Sequence, residues 1–298
     1  MDFRQLEMFY AVAERMSFTE AGKQLFVAQS AISRKIRLLE EELNEKLFKR
    51  VNKRIFLTPA GEVMLRYTRQ IFQELRNAAL EVSEISQLKQ GILRLGSGMT
   101  ACMYLLPPVI ERFQIRYPKI EIRVVTGTSE ALISQIRNNA LDLGILTLPI
   151  ESPDLEVVPF AEEELVIVTS PKHRVLAKRR MVSAEALRVC PMILFNHSTS
   201  TRGLIDRYFQ RLGFEPQVVM ESESVATIKP LVRINLGISL LPFPAVAAEV
   251  KRGELHCLRI REARLNRAIG LVAQKASYKP KAMVELMALF RGKAHSRA

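Results

Sequence analysis

Hydrogen-bonding side chains recur along one face of a predicted helix near the start of the chain. The polar positions are Gln29, Ser30, Ser33, Arg34 and Arg37. Their spacing of about one helical turn places them on one side of the helix. Glutamine can pair with an adenine edge and arginine with a guanine edge, while serine and arginine also contact phosphates. We predict that Gln29, Ser30 and Ser33 lie nearest the bases of double-stranded DNA, with Arg34 at a phosphate or base edge; the alternative is a solvated helix face.

The predicted helices on either side indicate how this polar face is positioned. Apolar spacing predicts helices over residues 3–15, 18–25 and 29–43, and Ser17 or Thr19 can cap the second helix. The third helix has an apolar stripe made of Ile32, Ile36, Leu39 and Leu43. The second and third helices, joined by a tight turn, have the layout of a helix-turn-helix, whose second helix lies in the major groove. Ser17 and Thr19 are assigned to the same DNA-contacting surface.

A basic wing is predicted directly after the third helix. Two short strands around the tip at residues 51–54 would lay Arg50, Lys53 and Arg54 along the phosphate backbone or minor groove. Net charge alone does not locate this surface. The chain carries +13 in total, but residues 1–90 hold 15 basic and 12 acidic side chains. The local cluster is therefore the stronger indication.

A long helix is predicted from Thr58-Pro59 to about Leu88. Its apolar seam repeats every seven residues through Met64, Ile71, Ala78 and Ile85, interleaved with Leu75 and Val82. A single helix cannot bury such a seam alone, so we expect it to form a dimer. The alternative is that the seam packs on the C-terminal part of its own chain.

Short apolar strands alternate with helices after residue 90, which predicts parallel sheets covered by helices. In the first part, strands are expected at 92–96, 120–125 and 141–146, with helices at 99–116 and 129–139. In the second part, strands are expected near 165–169, 192–195, 218–221 and 238–241, with helices near 201–212, 224–234 and 245–251. A strand at 268–274 and a helix at 280–290 return to the first part. Crossings near 161–164 and 264–268 would join two α/β lobes.

A ligand in such a fold sits at the carboxyl ends of strands and the starts of helices. Hydroxyl and backbone N–H groups there suit a carboxylate or similar anion, and Arg202 could add a bidentate contact. The candidate residues for binding this ligand, the effector site of the chain if it is a regulator, are Ser97, Met99, Thr100, Thr128, Thr147, Asn196, Ser198, Thr199, Thr201 and Arg202. Any single serine or threonine among them could instead be an ordinary helix cap.

The sequence lacks the motifs of nucleotide-cofactor binding, nucleophilic catalysis and metal binding. Gly96-Ser97-Gly98 lacks the third glycine of a dinucleotide fingerprint, and no nucleophile elbow, P-loop or metal-ligand spacing occurs. The three cysteines are far apart and odd in number, which fits a reducing cytoplasm rather than a disulfide framework. No run approaches 18 apolar residues. We therefore expect a cytoplasmic protein that is not an enzyme, with no cofactor, metal site or membrane span.

Five segments, taken in order, closely resemble the LysR-type transcriptional regulators. They are Ser17–Ala21, Gln29–Arg34, Leu38–Leu43, Leu47–Arg50 and Leu57–Gly61. The chain departs from the family at Ser30, where proline is frequent. The resemblance implies a C-terminal effector domain similar to periplasmic binding proteins, and a tetramer, built as a dimer of dimers, that bends its operator. Residues 196–208 contain no cysteine, so the disulfide switch of the family's peroxide sensors is not available there.

Together these observations predict a two-part α+β chain. Residues 1–58 form an all-α winged helix-turn-helix domain, 59–90 a linker and dimerisation helix, and 91–298 a two-lobed α/β effector-binding domain. Lobe I would comprise 91–162 and 267–298, and lobe II 163–266. The expected function is sequence-specific transcription regulation, modulated by a small anionic effector.

The expected partners are a double-stranded DNA operator, the effector, further copies of the chain as a dimer or tetramer, and RNA polymerase. One alternative is a DNA-binding regulator whose effector fold is vestigial and takes no small molecule. A weaker alternative is an enzyme that uses the α/β cleft.

Overall fold

The computed structural model describes residues 1–51, 54–85, 91–262, 264–275 and 279–294. The chain divides into two compact units. The N-terminal unit comprises residues 1–79 with 138–140, and the C-terminal unit comprises 80–137 with 141–298. Among the described residues, no helix is both long and apolar enough to cross a membrane.

The N-terminal unit is a helical bundle with a two-stranded wing. Its elements in chain order are α1 (Phe3–Arg15), α2 (Phe18–Leu25), α3 (Gln29–Leu43), β1 (Phe48–Val51), β2 (Arg54–Leu57) and the start of α4 (Pro59–Ile85). The three predicted helices and the wing are confirmed. Ser17 caps α2 by accepting a hydrogen bond from the Glu20 amide at 3.3 Å. The predicted end of α4 near Leu88 lies outside the described residues.

The turn between α2 and α3 depends on close backbone approach. A Cβ at Gly22 would lie 2.7 Å from the Val27 carbonyl oxygen, so a side chain there would force the two helices apart. The apolar core beneath the turn contains Met8, Val12, Ala21, Ile32 and Ile36. A second core, formed by Phe9, Ala13, Leu39, Leu47 and Leu65, joins α1 and α3 to the base of the wing and to α4. The exposed face of α3 is therefore held on a rigid support.

The C-terminal unit alternates strands and helices. Its first elements are β3 (Gly91–Ser97), α5 (Met99–Tyr104), α6 (Pro107–Arg116), β4 (Ile120–Thr126), α7 (Ser129–Arg137), β5 (Leu143–Thr147) and β6 (Leu155–Thr169). They are followed by β7 (Met181–Val182), α8 (Ala184–Leu187), β8 (Pro191–Phe195), α9 (Ser200–Arg211), β9 (Gln217–Ser222), α10 (Val225–Arg233), β10 (Ser239–Pro242), α11 (Phe243–Lys251), β11 (His256–Ile260), β12 (Leu265–Gln274) and α12 (Lys281–Ala294).

Two long strands run through both halves of this unit. The sheet order is β4-β3-β5-β12-β6-β11-β7, with β10 also paired to β6, while β8 and β9 form a separate pair. β12 and β6 are antiparallel from Leu265 opposite Leu165 to Gln274 opposite Leu155. One core, around Phe113, Leu143 and Phe290, packs on one part of this scaffold. Another core lies between β6, β8, α9 and α10. The predicted crossings fall in β6 and at the start of β12; the exact domain and lobe boundaries stay predictions.

Several details of the sequence-based prediction are wrong. The single helix expected over 99–116 is two helices, because Pro107 and Pro108 have no backbone N–H and cannot donate the helical hydrogen bonds to the Met103 and Tyr104 carbonyls. The sheet is mixed rather than parallel, since β12 is antiparallel to both neighbours. β6 begins ten residues earlier than expected, because the run Glu162-Glu163-Glu164 hides its strand pattern. β7, α8 and β11 were not predicted.

Candidate DNA-binding surface and effector cleft

The exposed face of α3 carries the polar residues that the sequence predicts for reading DNA. Ile32, Ile36 and Leu39 of the predicted apolar stripe are buried, whereas Leu43, at the last position of the helix, is exposed. The opposite face of the helix is open to solvent. The predicted residues exposed on α3 are Gln29, Ser30, Ser33, Arg34 and Arg37. Arg37 pairs with Glu41 one turn later at 3.4 Å. Both groups are exposed, so this pair contributes little to stability and leaves Arg37 able to reach a phosphate.

A groove joins the starts of α2 and α3 to the wing. It is lined by Met16, Ser17, Phe18, Thr19, Gln29, Arg50, Arg54, Ile55 and Phe56. Five of the ten predicted DNA-contacting residues thus meet on one concave surface. The Arg50 guanidinium carbon lies 6.0 Å from the centroid of the Phe18 ring, close enough for a cation–π contact. Lys53 lies outside the described residues.

A nearly buried carboxylate, which sequence reasoning passed over, attaches the wing to α3. Glu40 is 9% exposed, and one of its oxygens accepts hydrogen bonds from the Leu47 amide at 2.9 Å and the Phe48 amide at 3.3 Å. Its other oxygen pairs with Lys46 at 2.8 Å. In the sequence Glu40 looks like one member of an exposed acidic block. The signal that distinguishes it is its place beside Leu39, on the buried side of the helix.

The C-terminal unit contains a cavity of about 310 Å³ between its two cores. Its lining comes from the ends of β3, β4, β5, β8 and β9, from the helix starts that follow four of these strands, and from β12. The lining residues are Gly98, Met99, Thr100, Ala101, Thr126, Gly127, Thr128, Ser129, Ile145, Thr147, Phe195, Ser198, Thr199, Ser200, Thr201, Glu223, Ser224 and Arg267. Seven of the ten predicted effector residues are among them: Met99, Thr100, Thr128, Thr147, Ser198, Thr199 and Thr201.

The other three predicted residues do not line the cavity. Ser97 is fully buried, and its hydroxyl donates to the Gly98 carbonyl at 3.1 Å. Asn196 shapes the following turn, since its side-chain oxygen accepts from the Ser198 amide at 3.0 Å. Arg202 is the third, and its guanidinium points into its own lobe. The expectation that ligands sit at strand ends and helix starts identifies the loops that line the cavity, but it cannot tell which side chain in a loop faces the cavity.

Arg202 holds the loop that lines the cleft. It is 4% exposed, and Nη1 donates to the Phe195 carbonyl at 2.6 Å and to Glu221 at 2.7 Å. Nε donates to Asp206 at 2.7 Å. Burial acts to lower the pKa of this guanidinium, but Glu221 and Asp206 outweigh it, so the pKa lies above its ordinary value. The hydrogen bond from Arg202 lowers the pKa of the Glu221 carboxyl. Arg202 is therefore a positioning residue for residues 195–199.

Within the described part of the chain, Arg267 is the basic side chain that lines the cleft. It is 3% exposed and opposes Glu163 in the register of β12 and β6. Nε and Nη2 donate to one Glu163 oxygen at 2.8 and 2.6 Å, and Nη1 donates to the Thr201 hydroxyl oxygen at 2.8 Å. Sequence reasoning missed this residue. A signal was present, because Arg267 lies in one predicted crossing and a glutamate run occupies the other.

Two helix starts face each other across the cleft. The hydroxyl oxygens of Ser129, at the start of α7, and Ser200, at the start of α9, are 2.8 Å apart. The two residues before them, Thr128 and Thr199, accept hydrogen bonds from amides of their own helices at 3.3 and 3.2 Å. These threonines cap their helices and also line the cavity. The arrangement brings the positive ends of two helices to one place, which favours an anionic group.

Comparison with known families agrees with this architecture. Residues 3–62 match the family described as bacterial regulatory helix-turn-helix protein, lysR family, and residues 86–294 match the LysR substrate binding domain. A probable RuBisCO transcriptional regulator of Porphyra purpurea is 30% identical over 284 residues, covering 93% of this chain and 89% of that protein. The regulator GltR of Bacillus subtilis is 32% identical over 255 residues, covering 86% and 84%.

Solved structures share the fold over nearly the whole chain. A full-length OxyR variant from Pseudomonas aeruginosa aligns with a TM-score of 0.77 at 22% identity, covering 98% of this chain and 95% of that one. CbnR in complex with its target DNA aligns with a TM-score of 0.70 at 24% identity, covering 100% of both chains. The chain therefore belongs to the LysR family: it is a DNA-binding transcriptional regulator with an effector-binding domain, and not an enzyme.

Proposed function

We propose that the cleft binds a small effector through a carboxylate or similar acceptor group, and that this binding modulates operator recognition by α3 and the wing. The observation that carries the effector assignment is the convergence of the α7 and α9 starts, with their hydroxyls, on one cavity of about 310 Å³. This volume is at the lower end of the range for ligand pockets, which favours a small molecule. An effector that prefers one arrangement of the lobes would shift the population toward it.

On the DNA side, we propose that Gln29, Ser30 and Ser33 contact bases. Ser17, Thr19 and the exposed arginines would contact phosphates or the minor groove; these are Arg34, Arg37, Arg50 and Arg54. The support is that these residues are exposed or line the groove beside α3.

We also propose a dimer through α4, with a tetramer built from two dimers, because Leu75 and Val82 of the predicted seam are exposed on this helix. RNA polymerase is a further proposed partner. The cytoplasm is the proposed location, because that is where a regulator of this family meets its operator.

Replacing Arg34 by alanine should weaken operator binding by about tenfold and reduce the slope of log K against log salt by about 1 for each subunit bound. Arg34 is exposed on α3, so its loss removes a phosphate contact and leaves the helix packing intact. Fluorescence anisotropy over a salt series measures both quantities. Arg112→Ala, an exposed arginine on α6, is the matched control. An unchanged slope in Arg34→Ala would remove the phosphate role.

Replacing Gly98 by leucine should block the cleft without disturbing the fold. Gly98 lines the cavity, has an ordinary φ of −63°, and a Cβ there would meet no atom within 4 Å. Thermal shift of the full chain, against a panel of small carboxylates, amino acids and sugar phosphates, measures ligand binding. We expect any stabilising compound to lose affinity by more than about tenfold in Gly98→Leu, while the ligand-free Tm stays within about 3 °C.

The control for this experiment is Gly292→Leu on α12, where a Cβ also meets nothing within 4 Å. It should bind every ligand as the wild type does. If a compound stabilises the wild type and Gly98→Leu equally, its site lies outside the cleft. If no compound stabilises the wild type, the result favours a regulator whose effector fold takes no small molecule.

A further inference from the structure

The charges around the cavity are uneven. Among the residues that the structure describes, two ionisable side chains line it, Arg267 and Glu223. The Arg267 charge is offset by Glu163, which lies behind it at 2.6 Å. Glu223 is exposed at the cavity and forms no ion pair among the described residues. Its carboxylate accepts a hydrogen bond from the Ser198 hydroxyl at 3.4 Å. The cleft therefore presents one uncompensated negative charge to a ligand.

A buried hydroxyl marks where an acceptor group of the ligand belongs. Thr201 is 6% exposed and lines the cavity, and its oxygen accepts from Arg267 Nη1. The Thr201 hydrogen therefore points elsewhere, and it has no acceptor among the described residues. A buried hydroxyl donor without an acceptor is costly, so a ligand oxygen at this position is favoured. The start of α9 and the facing start of α7 place further donors beside it.

We infer that the effector is a zwitterion of the α-amino acid type. Its carboxylate accepts from the Thr201 hydroxyl and the starts of α7 and α9, and its ammonium group faces Glu223. A simple dicarboxylate would instead carry a second carboxylate where the zwitterion carries its ammonium group. That carboxylate would be repelled by the Glu223 carboxylate. This inference rests on the proposed function, because it takes the cleft to be the effector site.

The test compares matched acids on the full chain. Each α-amino acid is paired with the 2-hydroxy acid of the same side chain, so that only the ammonium group differs, and affinities are measured by isothermal titration calorimetry. We expect at least one amino acid to bind roughly tenfold or more tightly than its hydroxy partner. Glu223→Gln should reduce that preference to about threefold or less without changing the ligand-free Tm. Glu215→Gln, an exposed acid outside the cavity, has the same charge change and should keep the preference.

The outcomes separate this inference from the proposed function. Hydroxy acids or dicarboxylates that bind as well as amino acids, and are blocked by Gly98→Leu, would overturn the zwitterion but keep the cleft as an effector site. An amino-acid preference that persists in Glu223→Gln would overturn the role of Glu223. If no acid of any class binds the wild type, both the inference and the proposed function fail.

Discussion

Replacing Arg267 by methionine should lower the free energy of unfolding of the C-terminal unit by about 3–5 kcal/mol. The guanidinium is the charge partner of Glu163, which is 5% exposed, and its removal leaves that carboxylate buried without compensation. Thr201 also loses its donor. Urea denaturation of the full chain, followed by circular dichroism, measures the free energy of unfolding. Differential scanning calorimetry separates the thermal transition of this unit from that of the N-terminal unit.

A double variant provides the control. Arg267→Met combined with Glu163→Leu should recover most of the lost stability, because apolar residues of similar volume can replace a buried ion pair at little cost. Arg123→Met, at an exposed arginine that pairs with Glu121, should change stability by less than about 1 kcal/mol. A destabilisation of Arg267→Met no larger than that of Arg123→Met would show that water reaches the Glu163 carboxylate.

The second large effect is expected at Gly61, where alanine should destabilise the N-terminal unit by about 3 kcal/mol or more. A Cβ at this position would lie 2.1 Å from the Leu47 carbonyl oxygen and 2.9 Å from Leu57 Cδ2. The obstructing oxygen is backbone, so it cannot turn away as a flexible side chain could. The start of α4 and the wing must then separate. Operator affinity should fall together with the Tm, because the wing is part of the proposed DNA-contacting surface.

Gly203→Ala on α9 is the matched control, since it makes the same chemical change inside a helix. The nearest atom to a Cβ there is Arg207 Nη1 at 3.6 Å, an ordinary contact. Alanine should therefore be neutral or stabilise by about 0.5–1 kcal/mol. If Gly61→Ala keeps both the wild-type Tm and operator affinity, the close contact between α4 and the wing does not exist in solution.

Local signals in the sequence predict the N-terminal unit well. The cap at Ser17 predicts the start of α2, and the stripe through Ile32, Ile36 and Leu39 predicts the buried side of α3. Both signals depend only on residues a few positions apart in the sequence. The cleft depends on contacts between distant segments. Arg202 follows a predicted ligand loop but bonds within its own lobe, whereas Arg267 lies in a predicted crossing and reaches the cavity where β12 pairs with β6. Periodicity carries no information about that pairing.

β6 and β12 contribute to both cores of the C-terminal unit, and this has a mechanical consequence. Two-lobed proteins that bend at a flexible loop can open widely at little cost. Here the connection is the pair of hydrogen-bonded strands β6 and β12, which resists bending because bending would distort its hydrogen bonds. Its register shifts between Ile269 and Gly270, and such an irregularity bends the strand and increases its local twist. The lobes should therefore respond to a ligand by a small, elastic twist centred on this point.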